Sequence, residues 1–172
     1  MGISAERFPA IAHSAPGLGC VLSHLAVLKL ARARGYPSVI IFEDDFEFLV
    51  TTSEYAEILS KVPEDFDVVM LGRYLIEVAP YNETFGKVLK ATTASGYMVH
   101  QRFYDRLIEN LGEAAGLFHR CLVEQVRPAD YMNDQYWCRL QPSATWLYTL
   151  KRVGKQRPSY SDLVGDRVAY NY

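Results

Sequence analysis

The chain has only three cysteines in 172 residues, Cys20, Cys121 and Cys138. An odd and scattered set builds neither a disulfide framework nor a zinc motif, and it points to free thiols in a reducing compartment. Charge of one sign is also scarce. The net charge is -2, so no field for a polyanion exists and nucleic acid is not an expected partner. No apolar run approaches the roughly 20 residues that cross a bilayer, and no signal-peptide pattern opens the sequence. The expected location is therefore cytoplasmic, with peripheral association at the inner face of a membrane left open. Internal repeats and low-complexity segments are absent too.

What is present suffices for one domain over 1–172. Apolar residues make up 49% of the chain and Tyr alone occurs 12 times, enough for a core at this length. The segment 151–172 reads as a basic, Tyr-rich tail with Lys151, Arg152, Lys155 and Arg157. After an irregular opening that ends at Pro16-Gly17, the spacing of Leu18, Val21, Leu22, Leu25 and Leu28 predicts an amphipathic helix to Arg34, stopped by Gly35 and Pro37. Thr51 with Glu54 reads as a capping box opening a helix to Ser60. Short strands are expected at Asp67–Gly72, Val88–Ala91, Gly96–His100 and Thr145–Leu150, the middle two around a turn. Residues 73–87 read as loop or ragged strand. A helix is expected over Gln101–Leu111, closed by Gly112, and another from Pro128 to about Leu140. Alternating strands and helices define an α/β fold, whose ligands sit at the carboxyl ends of strands.

One stretch stands out. Val39-Ile40-Ile41-Phe42 runs directly into Glu43-Asp44-Asp45. A buried strand tolerates three adjoining carboxylates badly, because they repel and resist desolvation. A divalent cation removes that conflict, and hard oxygen ligands suit Mn²⁺ or Mg²⁺, which bridge to phosphates. The alternative is a solvated loop or a helix cap. In an extended segment Glu43 and Asp45 share one side and Asp44 faces the other.

Further residues carry a family resemblance. Gly17-Leu18-Gly19-Cys20-Val21-Leu22-Ser23-His24 followed by Ile41-Phe42-Glu43-Asp44-Asp45 resembles the signature of glycosyltransferase family 25, which includes lipooligosaccharide and collagen galactosyltransferases. Asp67–Gly72, Thr93–Val99, Pro128–Met132 and Gln156–Asp162 resemble its later segments in order, so the likeness runs from about residue 6 to 163. It implies a GT-A-like fold and a metal-dependent transfer of galactose or glucose from a UDP-sugar, inverting the anomeric centre. The acceptor would be a lipopolysaccharide-type glycan or a hydroxylysine. Asp45 is then the expected metal ligand and Glu43 its companion, holding the metal's water or the ribose. Asp44 is structural or exchanges roles with them.

The resemblance makes Asp130 the candidate base, with Asp134 the weaker alternative. His24 would contact the diphosphate or orient the acidic motif, although a polar residue bonded within the fold is the plain reading for both Ser23 and His24. Cys20 reads as a small buried residue rather than a nucleophile. Gly96 permits close backbone approach, and Tyr97 lines the donor pocket or belongs to the core. Arg157, with Arg152 and Lys155, reaches the diphosphate or an anionic acceptor, or is simply solvated. The family's opening βα unit has no counterpart here, so the expected domain is N-terminally incomplete. A catalytically inactive, glycosyltransferase-like binding domain is the competing reading. A metal-dependent phosphohydrolase lacks support, since the four His form no ligand set.

Overall fold

The computed structural model describes residues 4–161 and 165–168. Asp162 of the last motif and the final residues 169–172 of the tail lie outside them. The elements in order are α1 Pro16–Ala33, β1 Ser38–Phe42, β2 Phe46–Phe48, α2 Thr52–Ser60, β3 Val68–Met70, β4 Tyr74–Pro80, β5 Phe85–Thr92 and β6 Gly96–His100. They continue with α3 Tyr104–Val123, α4 Asn133–Tyr136, β7 Trp146–Thr149, β8 Gly154–Gln156, β9 Ser159–Ser161 and β10 Asp166–Val168.

Six strands form a mixed sheet in the order β1-β6-β3-β7-β5-β4. Only β3 and β7 are parallel neighbours; the other pairs are antiparallel. Strands β1, β3 and β7 therefore run the same way, and their carboxyl ends share one edge of the sheet. The architecture is α/β with a mixed sheet, compatible with a glycosyltransferase-like fold. The sheet is buried on both faces, as the period of two along β3 shows. Val68 and Met70 pack with Leu25 and Leu28 of α1, Leu107 and Leu111 of α3, and Trp137 and Trp146. Val69 and the following Leu71 pack the other way, with Tyr55 and Ile58 of α2 and with Phe46 and Phe48.

Several expectations are corrected. The chain over Glu43–Phe46 is a tight turn closed by Phe46 N–H donating to the Glu43 carbonyl at 3.1 Å, so strand periodicity does not set the directions of the three acids. Strands β5 and β6 do not pair around their turn; β6 lies between β1 and β3, and β5 between β7 and β4. Residues 73–87 take the ragged-strand form rather than the loop, as the edge strand β4 with register shifts between Leu75 and Val78. Gly112 does not stop α3. Burial of Leu111, Ala114, Ala115 and Phe118 carries the helix through it, outweighing about 1 kcal/mol of glycine cost. Chain reversal comes later, where Gln125 takes φ +58°. The helix expected from Pro128 is broken into a 3-10 turn at Ala129–Tyr131, α4 of four residues, and a 3-10 stretch, Trp137–Ser143. The capping box of α2 is formed as expected: Glu54 N–H donates to Thr51 Oγ1 at 3.3 Å and Thr51 N–H to Glu54 Oε2 at 2.7 Å. No helix among the described residues is long and apolar enough to cross a membrane.

Candidate functional site

The acidic turn leaves the sheet at the carboxyl end of β1. Its entry is fixed by Glu43 N–H donating to the Ser95 carbonyl at 2.9 Å, just before β6. Its exit is fixed by the antiparallel pair of β2 and β8, which sets Phe46 opposite Gln156. Phe46 is the anchor. A Cβ built on Gly96 would lie 2.5 Å from the Phe46 ring, one on Gly154 2.1 Å, and one on Gly72 3.2 Å. Three glycines thus make the slot for one aromatic ring, which meets Phe42 at a tilt and Phe48 edge-on at centroid distances of 4.8 and 4.9 Å. Gly96 does permit close approach, and the group that approaches is Phe46.

The turn converges two of the three acids. Gln156 Nε2 donates to Asp45 Oδ2 at 3.1 Å and stands 3.4 Å from Glu43 Oε2. Asp44 is exposed. Arg157 clamps the turn from β8's end, its backbone N–H donating to the Asp45 carbonyl at 2.9 Å and its guanidinium to the Asp44 carbonyl at 3.2 Å. Arg157 is otherwise exposed. The two carboxylates face one point, at which the Gln156 amide N–H now donates, and a pair of carboxylates suits a hard cation. Glu43 and Asp45 are the residues that would hold it, in the place the Gln156 amide group now serves.

On its other side Glu43 meets α1. Its Oε1 lies 3.3 Å from His24 Nε2, while His24 Nδ1 lies 2.8 Å from the Tyr97 hydroxyl. His24 and Tyr97 are both buried and their rings stack at 5.7 Å. Cys20, one helical turn before His24, completes a group whose ligand atoms all lie within 4.8 Å of one another. Burial is the largest influence on His24 and opposes its charge; Tyr97, Cys20 and Glu43 oppose burial and raise its pKa well above the usual range. Burial also raises the Tyr97 hydroxyl, against the pull of His24. His24 holds Glu43 from behind, and Tyr97 holds His24. Ser23 serves the opening segment instead. Its hydroxyl donates to the Gly19 carbonyl at 2.7 Å and accepts from Ile11 N–H at 2.8 Å, tying that segment to α1.

The two acids of the 128–134 region separate. Asp130 is exposed on the 3-10 turn. Asp134 is half-buried on α4 and accepts from Thr93 N–H at 3.0 Å. Burial raises its pKa, and the nearby Glu43 carboxylate adds to that. Asp134 is thus the acid electrostatically joined to the site. Of the other tail cations, Arg152 Nε donates to the Gly154 carbonyl at 3.4 Å, and Lys155 stands 3.5 Å from Glu47 across the β2–β8 pair. Sequence reasoning gave no part to Gln156 beyond its motif, or to Cys20 beyond packing. The second was legible: Cys20 and His24 are four apart on a helix, hence on one face. Gln156 lies 111 residues from Asp45 and had no local signal.

No family profile matches the chain. Curated relatives do. The chain is 26% identical over 157 residues to the inactive glycosyltransferase 25 family member 3 of Mus musculus, covering 84% of this chain and 26% of that protein. It is 28% identical over 138 residues to the probable inactive glycosyltransferase 25 family member 3 of Rattus norvegicus, covering 73% and 23%. Against the human inactive member 3 it is 33% identical over 87 residues, covering 46% and 14%. The chain spans about a quarter of the length of the first two relatives. By these alignments it is similar to glycosyltransferase 25 family members, and these relatives carry the name inactive.

Proposed function

We propose that the acidic turn is a divalent-cation and diphosphate site, and that the chain is a GT-A-type glycosyltransferase domain moving a hexose from a UDP-sugar to a glycan or hydroxylysine-type acceptor with inversion. The observation that carries this is the convergence of Glu43 and Asp45 on Gln156 at the carboxyl edge of the sheet. Bound Mn²⁺ or Mg²⁺ would supply charge stabilisation to the departing diphosphate. The exposed Arg157, whose guanidinium donates to the Asp44 carbonyl of the same turn, offers a second positive group to the phosphates.

His24 keeps Glu43 oriented, so this carboxylate loses little freedom when it is used. In the transfer itself the acceptor oxygen bonds to the anomeric carbon as the bond from that carbon to the diphosphate oxygen breaks. UDP leaves with the bonding pair, and the acceptor proton passes to a carboxylate. Asp134 suits that last role better than Asp130. Its raised pKa brings it nearer the working pH, as a general base requires, and it feels Glu43.

A second reading has its own support. Gln156 Nε2 already serves both carboxylates, and the relatives are named inactive. On that reading the turn is a fossil of the site within a binding domain. The test is UDP release from UDP-galactose and UDP-glucose, with Mn²⁺ or with chelator. Mn²⁺-dependent release, lost in Asp45→Asn, is the expected result. No release from either sugar, with UDP still bound, favours the binding domain.

A further inference from the structure

We propose that Cys20, His24 and Glu43 form a second cation site, selective for a thiophilic ion of the zinc class and separate from the hard-oxygen site on the other side of Glu43. A thiolate, an imidazole and one carboxylate, with a fourth position left to water, are the donor set that zinc takes and that magnesium or manganese does not.

The geometry suits a shared ion. His24 Nε2 and Glu43 Oε1 are 3.3 Å apart. A charge-assisted N–H to carboxylate bond closes to about 2.7–2.9 Å. Two ligands each about 2.0–2.1 Å from one tetrahedral ion stand roughly 3.3–3.4 Å apart. The surroundings of the imidazole match as well. A zinc-bound imidazole keeps its other nitrogen protonated and donates it to a fixed acceptor; here the Tyr97 hydroxyl lies 2.8 Å from Nδ1. Cys20 Sγ is the ligand that moves, since the three atoms span up to 4.8 Å and thiolate bonding needs about 3.6 Å to its neighbours. Its side chain is half-buried and free of any disulfide, and its contact to Asn133 Oδ1 is a weak one at 3.9 Å. Asn133 is 2% exposed, and its Nδ2 has no hydrogen-bond partner, a buried polar group beside the same place.

The other thiols make poor rivals. Cys138 donates to the Ala91 and Asp134 carbonyls at 3.3 Å each, and burial pushes its pKa up to about 11. Cys121 is buried on α3.

The test is Co²⁺ titration of the purified chain, read by the near-ultraviolet thiolate-to-cobalt band and its displacement by Zn²⁺. The band is expected in the wild type, in Cys121→Ser and in Cys138→Ser, absent in Cys20→Ser and weakened in Glu43→Gln. No band from a folded wild-type chain overturns the proposal, as does a band that survives in Cys20→Ser. Should Cys20→Ser fail to fold, loss of the band in either control thiol variant overturns it instead. Mn²⁺-dependent UDP binding by Cys20→Ser is measured alongside, so failure of the zinc site and failure of the donor site are told apart.

Discussion

Replacing Gly96 with alanine tests whether Phe46 positions the acidic turn. The added methyl would lie 2.5, 2.8 and 3.1 Å from three atoms of the Phe46 ring. Ordinary carbon contacts are about 3.5–4.0 Å, so the ring must shift by about 1 Å. It has no free space to enter, because Gly154 and Gly72 close the slot and Phe42 and Phe48 press on the ring. Overpacking of this kind costs about 1–3 kcal/mol. Loss of glycine's freedom in the unfolded chain returns about 0.4–1 kcal/mol. The net expectation is a loss of about 1–2 kcal/mol, which for a chain of this size lowers Tm by roughly 2–8 °C. Phe46 directly follows Asp45, so the cation site shifts with it and Mn²⁺ affinity falls in the same variant. The assay is thermal unfolding of Gly96→Ala in wild-type and Phe46→Leu backgrounds. The smaller side chain leaves room for the methyl, so the two changes should be strongly non-additive. An unchanged Tm, or an equal loss in both backgrounds, would refute the idea that the glycines exist to seat Phe46.

Other expectations follow from the same contacts. Glu54 is pulled down to about 2 by its hydrogen bond to Lys151, then by the Thr51 backbone N–H and hydroxyl. Its folded pKa lies below its unfolded value, so its contribution is present above about pH 4.5 and fades as pH falls toward 2; unfolding of Glu54→Gln against wild type should converge across that window and diverge above it. Gln156→Ala should leave stability within about 1 kcal/mol of wild type yet alter Mn²⁺ affinity, measured by titration; an unaltered affinity removes Gln156 from the site. Asp134→Asn should depress kcat and change its pH profile, whereas Asp130→Asn should do neither; the reverse pattern restores Asp130 as the base.

Local patterns in the sequence carried much of the fold. The leucine spacing of α1, the Thr51–Glu54 box and the apolar runs of β3, β6 and β7 each report on neighbours a few residues away, and each is formed. Failures arose where tertiary packing decides. Gly112 has the chemistry of a helix stop, but buried residues on both sides keep α3 going to Val123. Strand β4 was only half legible, as loop or ragged strand, because an outer edge strand needs no continuous apolar run; Tyr74, Ile76 and Val78 remain exposed. The order of strands, with β6 inserted between β1 and β3, has no local signature. The site divides in the same way. The acids of residues 43–45 announced themselves by their cost at a strand end. The turn that aims them, the glycine slot for Phe46 and the arrival of Gln156 depend on pairing across more than a hundred residues.

Whether the acidic turn holds a cation and a diphosphate is decided by calorimetric titration of UDP into the purified chain, with Mn²⁺ and with chelator, for wild type and Asp45→Asn. Binding that needs Mn²⁺ and vanishes in Asp45→Asn is the predicted result. A folded wild-type chain that binds UDP equally well with chelator, or not at all, contradicts a cation and diphosphate site at the acidic turn.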